Sequence, residues 1–289
     1  MLYYNYYRFS SYIIPFIKNN NPIKKFKNHI YSKKFLKLKP IEVLSNKTSN
    51  KDLLDLYIIA FNKPFLIETQ IRYLEKNLKD NYCLNIMDNS TIKTEADKIK
   101  KICIDNKCNY VKLPKNNLEQ SHSHWLALNY CMKHFILNSD SLYFWLLDHD
   151  CFLIKKISII EILKEQPFRW LLKDNIRLNI FNRIYNCAWN RWFLWPWCAF
   201  YRKDLFEKWY NFFPVKRLIP LSFLDTWWWN WKYVYKYYQK DDLKLLKSFE
   251  DPDLYEIENI DNYFIHIWWW GNGKEEIKDK MELLYKKFW

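Results

Sequence analysis

The sequence predicts an α/β fold with a mainly parallel central sheet flanked by helices, followed by an aromatic-rich C-terminal region. Between residues 53 and 153, apolar runs that suit buried strands alternate with segments whose apolar residues recur at helical spacing. This alternation is the pattern of a parallel α/β sheet. Hydrophobic residues make up 49% and aromatic residues 20% of the 289 residues. The chain can therefore bury a sizeable core, and a disordered chain is excluded.

The predicted elements follow one another from residue 53 onward. Three buried strands are predicted, over Leu53–Phe61, Tyr82–Met87 and Asn109–Leu113. Three helices are predicted after them in turn, over Phe65–Lys79, Glu95–Asn106 and His122–Leu137. Beyond Ile157 the regularity ends and aromatic residues crowd the chain. A turn at Gly271-Asn272-Gly273 precedes a closing helix over Lys274–Phe288.

A fourth predicted strand carries the most informative motif. Apolar residues 143–147 lead into Asp148-His149-Asp150, and apolar residues resume at Cys151. The carboxyl ends of strands in open α/β sheets are where ligands bind, and side chains two apart on an extended strand share a face. Two carboxylates there suit Mn²⁺ or Mg²⁺ carrying a diphosphate. A solvated turn is the alternative interpretation.

The other predicted strand ends also carry polar residues, namely Asn62, Asp88 and, a little later, Asn117. Such residues suit a nucleotide cleft. The chain has only two glycines, so a Walker A motif and a G-x-G-x-x-G motif are both excluded. A nucleotide would be held by metal, side chains and ordinary backbone. For Asp88, capping of the turn Asp88-Asn89-Ser90 is the alternative.

In the order of its elements the chain resembles nucleotide-sugar-dependent glycosyltransferases of the A fold (GT-A, Rossmann-type), near the family-2-like group. The resemblance covers about residues 52 to 275. The matching segments are Leu53–Phe61, Asp88-Asn89-Ser90, Asn117 with Ala127-Leu128-Asn129, Phe144–Asp150 and Phe264-Ile265-His266.

The resemblance implies a role for each matching residue. Asp150 would coordinate the metal directly, and Asp148 would reach the ribose or a metal-bound water. His266 would add a nitrogen ligand, and this mixed set suits Mn²⁺ better than Mg²⁺. Asp88 would hold the nucleoside, with Asn62 at the same edge. For His266, a core histidine is the alternative.

Asp225 is the candidate acceptor-side base, because an inverting transfer needs a carboxylate to take the acceptor hydroxyl proton. Its alternative is a helix N-cap before residues 227–238. The stereochemistry stays open, since a retaining enzyme needs no such base. His122 and His124 are interpreted as surface positions at a helix start, with the donor cleft as the alternative. Of the tryptophans at 227–229 and 268–270, one or two are expected at the acceptor cleft.

The net charge of +14 favours an anionic partner. Lysines concentrate in residues 1–50, which are predicted to be a basic extension, solvated or weakly ordered, ahead of a transferase domain over residues 51–289. Peripheral membrane contact through this extension is an open alternative. Seven scattered cysteines without a C-x-x-C motif predict reduced core thiols and a cytoplasmic protein.

The sequence thus predicts a metal-dependent glycosyltransferase that moves a sugar from a nucleotide-diphosphate sugar to a glycan, protein or lipid, such as a glycoprotein or glycolipid. No nucleic-acid partner is expected. One alternative is a basic, aromatic-rich nucleic-acid-binding protein. Another is an inactive transferase fold that serves as an interaction module.

Overall fold

A computed structural model describes residues 22–116, 118, 120–166, 168–173, 193–205, 246–250, 257–267 and 274–288. The helices within this part are α1 Pro22–Phe35, α2 Pro64–Asn77, α3 Lys93–Asp105, α4 Gln120–His134, α5 Ile159–Glu165 and α6 Lys274–Phe288. The strands are β1 Glu42–Leu44, β2 Leu54–Ala60, β3 Tyr82–Asp88, β4 Asn109–Lys112, β5 Tyr143–Asp148, β6 Cys151–Leu153, β7 Phe168–Lys173, β8 Phe193–Arg202, β9 Leu246–Glu250, β10 Ile257–Ile260 and β11 Phe264–Ile267. Short 3₁₀ turns cover Ile136–Asn138 and Lys203–Leu205.

Four parallel strands form the centre of the sheet, in the order β4-β3-β2-β5. They are the strands that the apolar runs predicted, and the ends of β2, β3 and β4 agree with the prediction to within one residue. The predicted α/β fold with a parallel centre is therefore confirmed.

Helices cover both faces of this parallel centre. Along β2, Leu56 and Ile58 pack in one buried cluster with residues of α2, α3 and α5, whereas Tyr57 and Ile59 pack in a second cluster with residues of α4. This alternation follows from the strand, whose successive side chains point to opposite faces. The result is a three-layer arrangement in which strand ends, and not strand faces, are open to a ligand.

Antiparallel strands extend the sheet on both sides of the centre. β1 pairs with β4 at one edge, and β8 pairs with β5 on the other side. Beyond β8 the sheet continues with β7, which pairs antiparallel with β8 and parallel with β9. The hairpin β10–β11 and then β6 come last in the strand order.

The basic N-terminal segment joins this sheet from residue 35 onward. Phe35 at the end of α1 is buried and packs edge-on against Tyr130 of α4, with ring centroids 5.5 Å apart. β1 then adds an edge strand. The sequence placed the domain boundary at residue 50, whereas this edge strand lies before it. Among the described helices, none combines the length and the apolar character needed to cross a membrane.

The six cysteines of the described residues are free and buried. This agrees with the prediction of reduced core thiols for these positions. Burial raises the pKa of the Cys83 thiol to about 11, which keeps it protonated and unreactive at neutral pH.

Candidate functional site

The strand order creates a switch point at the carboxyl edge of the sheet. From β2 the chain adds β3 and β4 on one side, and then returns to pair β5 with the other side of β2. Ligands of open α/β sheets bind in the crevice beyond the strand ends at such a point. Asn62 follows β2 there, and Asp148 is the last residue of β5.

The Asp148-His149-Asp150 motif forms a turn in the structure. The prediction of one continuous strand through these residues is wrong, because β5 ends at Asp148 and β6 begins at Cys151. The buried amide of Gln70 on α2 donates hydrogen bonds to the backbone oxygens of Asp148 and Cys151, at 2.6 and 2.9 Å. Short polar residues favour turns, and Gln70 supplies the donor that this turn needs.

Because the chain turns here, Asp150 leaves the parallel strands and meets a histidine from the far end of the chain. β6 pairs antiparallel with β11, and Ile267 N donates to the backbone oxygen of Asp150 at 3.1 Å. Asp150 Oδ1 then lies 3.6 Å from His266 Nε2, and both side chains are largely buried. The two residues that the resemblance assigned to one metal are therefore neighbours in space.

The opposite ring nitrogen of His266 faces a second carboxylate, which no sequence pattern singles out. Glu258 Oε2 lies 3.5 Å from His266 Nδ1, and Glu258 is only 4% exposed. Burial lowers the pKa of His266, but Asp150 and Glu258 raise it more strongly, to about 9. The surroundings of this ring thus favour positive charge.

Asp148 faces a different histidine. Its Oδ1 atom lies 3.3 Å from His124 Nε2, and both side chains are partly exposed. The sequence favoured a surface position for His124 over the donor cleft. The structure places it on the first turns of α4, beside the carboxyl edge of β5, and so adds it to the candidate site. His149 instead contacts the backbone oxygen of Ile59 through Nδ1, at 3.0 Å.

Asp88 is fully buried at the end of β3. Its Oδ2 atom accepts hydrogen bonds from Tyr110 at 2.7 Å and from Lys112 Nζ at 3.0 Å. Its Oδ1 atom accepts from Ser90 N at 2.8 Å, so the turn-capping alternative is observed. Because Asp88 is fully buried, a direct contact with a nucleoside would require the residues that cover it to move.

Asn62 connects the loops that follow β2 and β3. It adopts a left-handed backbone with φ of 51°, which asparagine tolerates better than most residues. Its Oδ1 atom accepts from the backbone N–H groups of Thr91 and Ile92, both at 3.0 Å. Asn62 thereby joins the two loops into one rim beside Asp88.

A buried chain of amides and a hydroxyl continues this rim toward α4. Asn116 Nδ2 donates to Asn89 Oδ1, and Asn89 Nδ2 donates to Ser123 Oγ, each at 2.9 Å. Ser123 is adjacent to His124. This network therefore ties the start of α4, and with it His124, to the loop after β3.

The donor set fits a divalent cation of the Mn²⁺ class, which accepts carboxylate oxygen and imidazole nitrogen. Two donors that share one ion at bond lengths near 2.1 Å stand roughly 3 to 3.6 Å apart, and the Asp150–His266 pair meets that condition. Among the described residues, no group of three or more His, Cys, Asp or Glu side chains forms a ready metal cluster. Sites for diphosphate-bound metal commonly use one or two side chains plus the phosphates.

Three groups of predicted residues lie outside the described part of the chain. They are Asp225, Asn117 and the tryptophans at 227–229 and 268–270, and their predicted roles stay predictions. The side chain of His122 is likewise not described.

The fold and site are those of an α/β protein with carboxylate–histidine pairs at the switch point of its sheet. Comparison with solved structures returns glycosyltransferases at low identity. A mannosyltransferase from Pyrobaculum calidifontis, solved with GDP-Man and Mn²⁺, matches with a TM-score of 0.39 and 12% identity, over 69% of this chain and 57% of that chain. The mannosyltransferase Ktr4p from S. cerevisiae, solved with GDP, matches with a TM-score of 0.37 and 11% identity, over 63% and 66%. TarS from S. aureus matches with a TM-score of 0.35 and 14% identity, over 54% and 29%.

The chain thus spans less than two thirds of the length of each of these three proteins. No protein-family model and no curated protein matches the sequence.

Proposed function

We propose that this chain is a metal-dependent glycosyltransferase that uses a nucleotide-diphosphate sugar as donor. The observation that carries the proposal is the approach of Asp150 to His266 at the carboxyl edge of the sheet, next to Asp148. Oxygen and nitrogen donors converge there from strands that lie far apart in the sequence.

In this proposal Asp150 and His266 hold the cation, and Asp148 reaches the ribose or a metal-bound water. A divalent cation, when bound, supplies Lewis-acid stabilisation of the charge on the departing diphosphate. The rim around Asn62, Asp88 and Lys112 supports the nucleoside end. Asp225 takes the proton of the acceptor hydroxyl if the transfer is inverting.

The acceptor, as predicted from the sequence, is a glycan, a glycoprotein or a glycolipid. A lipid-linked acceptor is compatible with a further feature of the basic segment. Between residues 22 and 44 this segment contains several lysines and one acidic residue, Glu42, which pairs with Lys100. Leu38, Ile41 and Val43 are 48%, 62% and 52% exposed. Exposed aliphatic side chains among lysines suit an anionic membrane surface. Peripheral membrane contact therefore stays part of the proposal.

A donor screen tests the proposed function. The full chain is incubated with a panel of UDP- and GDP-sugars with Mn²⁺, with Mg²⁺ or with a chelator, and release of the nucleoside diphosphate is measured. The proposal predicts release from at least one donor that depends on metal and is abolished in Asp150→Asn. Asp140→Asn, an exposed carboxylate before β5, is the control and retains activity. Donor binding without release would favour the inactive-fold alternative.

A further inference from the structure

Glu258 and His266 face each other across the β10–β11 hairpin. They are directly opposed in the antiparallel register, so their side chains lie on the same face and close together. Both are buried, at 4% and 6% exposure. The Glu258 Oε2 to His266 Nδ1 distance of 3.5 Å places the carboxylate at the ring nitrogen that does not face Asp150.

A carboxylate in this position is costly unless it has a partner. The flanking residues Ile257 and Ile260 belong to apolar clusters, and a buried charge without a partner strongly destabilises a fold. His266 is a partner of this kind for Glu258, with its Nδ1 atom 3.5 Å from Glu258 Oε2. The ring in turn faces Asp150 through Nε2, so that it lies between the Glu258 and Asp150 carboxylates.

We propose that Glu258 is a positioning residue for the candidate metal site: it accepts the Nδ1–H of His266, fixes that tautomer and leaves Nε2 available to a divalent cation shared with Asp150. A histidine that binds a metal commonly donates its other N–H to a carboxylate, which sets the orientation and the basicity of the ring. This inference rests on the proposed function and deepens it. Glu258 acts through His266 and does not itself contact the donor.

The experiment measures Mn²⁺ affinity of the full chain by electron paramagnetic resonance in the presence of UDP or GDP. Glu258→Ala is expected to weaken Mn²⁺ binding by about 10- to 100-fold. Glu258→Gln is expected to lose less, because its amide oxygen still accepts the Nδ1–H. The matched control is Asn259→Ala, which removes the neighbouring buried side chain and its hydrogen bonds to Asn262, and it is expected to bind Mn²⁺ normally.

A second readout is independent of catalysis and of metal affinity. Nitrogen-15 NMR of the histidine rings in the metal-free chain, at a pH above the raised pKa of His266, reports which ring nitrogen carries the proton of the neutral ring. The Nδ1–H form of His266 is expected in the wild type and in Glu258→Gln, and a mixture of tautomers is expected in Glu258→Ala.

Two results would overturn the inference. One is unchanged Mn²⁺ affinity and tautomer in Glu258→Ala, and the other is an equal loss of affinity in Asn259→Ala, which would mean general damage to the hairpin. Failure of the proposed function itself gives a different pattern, since Mn²⁺ binding would then be unaffected by His266→Ala and Asp150→Asn as well.

Discussion

The Oδ1 atom of Asp150 lies 3.6 Å from the Nε2 atom of His266, although the two residues belong to strands far apart in the sequence. Three features surround this pair. The turn after β5 directs Asp150 away from the parallel strands, β6 pairs with β11, and Glu258 Oε2 lies 3.5 Å from the other ring nitrogen of His266. Each of these features can be removed separately.

Gln70→Ala tests the turn. Loss of the amide leaves the backbone oxygens of Asp148 and Cys151 without this donor, at about 1–3 kcal/mol for the buried Cys151 oxygen and less for the partly buried Asp148 oxygen. The free energy of unfolding is expected to fall accordingly, and Mn²⁺ affinity is expected to fall about tenfold or more. Urea unfolding and Mn²⁺ titration measure the two effects.

Asn77→Ala is the matched control for Gln70→Ala. Asn77 lies on the same helix, is buried, and donates to Leu153 O at 2.7 Å. It is expected to lower stability but not Mn²⁺ affinity. Equal Mn²⁺ affinities in the two variants would show that Gln70 does not organise the site.

Asp225→Asn tests the acceptor-side base. A general base contributes about 10²- to 10⁴-fold to a rate, so sugar transfer is expected to fall by that factor while donor affinity stays unchanged. Single-turnover kinetics and donor calorimetry separate the two quantities. Wild-type transfer activity in Asp225→Asn, with the anomeric configuration of the product unchanged, would show that this residue is not the base.

We expect the free energy of unfolding to depend on pH through Asp55, which lies at the opposite end of β2 from the site. Burial raises the pKa of Asp55 above its ordinary value of 3.8, although hydrogen bonds from Ser139, Ser49 and Tyr57 oppose this. Above pH 3.8 the unfolded chain loses this proton while the folded chain keeps it. The contribution of Asp55 to the free energy of unfolding is therefore largest at low pH, and it declines as the pH rises toward the pKa of Asp55 in the folded state.

Asp55→Asn is expected to remove this decline, and urea unfolding across a pH series measures it. The exposed Asp52→Asn serves as the control and should keep the wild-type profile. A wild-type pH profile in Asp55→Asn would contradict the assignment.

The exposed residues of the basic segment predict binding to anionic vesicles. A double change, Ile41→Ser with Val43→Ser, is expected to weaken sedimentation with vesicles of phosphatidylserine and phosphatidylcholine, because it removes the inserted aliphatic groups. Leu283→Ser is the control, since Leu283 is similarly exposed, at 48%, on the C-terminal helix α6. Equal binding in both variants, or no vesicle binding by the wild type, would rule out this contact.

Much of the fold was predictable because its signal is local. The four parallel strands are continuous buried runs, and α2 and α3 carry one apolar stripe each, so their alternation identified them. Helix α4 differs, because residues 125–132 are all buried. Asp148 was predictable as a residue at a strand end, since β5 leads directly into it.

The remaining features depend on contacts that no local pattern carries. Apolar residues resume directly after Asp150, so residues 143–153 have the pattern of one strand. The break is set by the amide of Gln70, a distant residue. Glu258 was missed because its importance comes from its register with His266 in a hairpin. His124 was assigned to the surface, since helix periodicity does not reveal that α4 begins beside β5.

The central claim is that Asp150 and His266 hold a divalent cation that carries the donor diphosphate. Calorimetry of UDP- and GDP-sugars with and without Mn²⁺, on the wild type and on Asp150→Asn, tests it most directly. The account predicts donor binding that requires Mn²⁺ and is lost in Asp150→Asn. Donor binding that is equally strong without metal, or unchanged in Asp150→Asn, would contradict it.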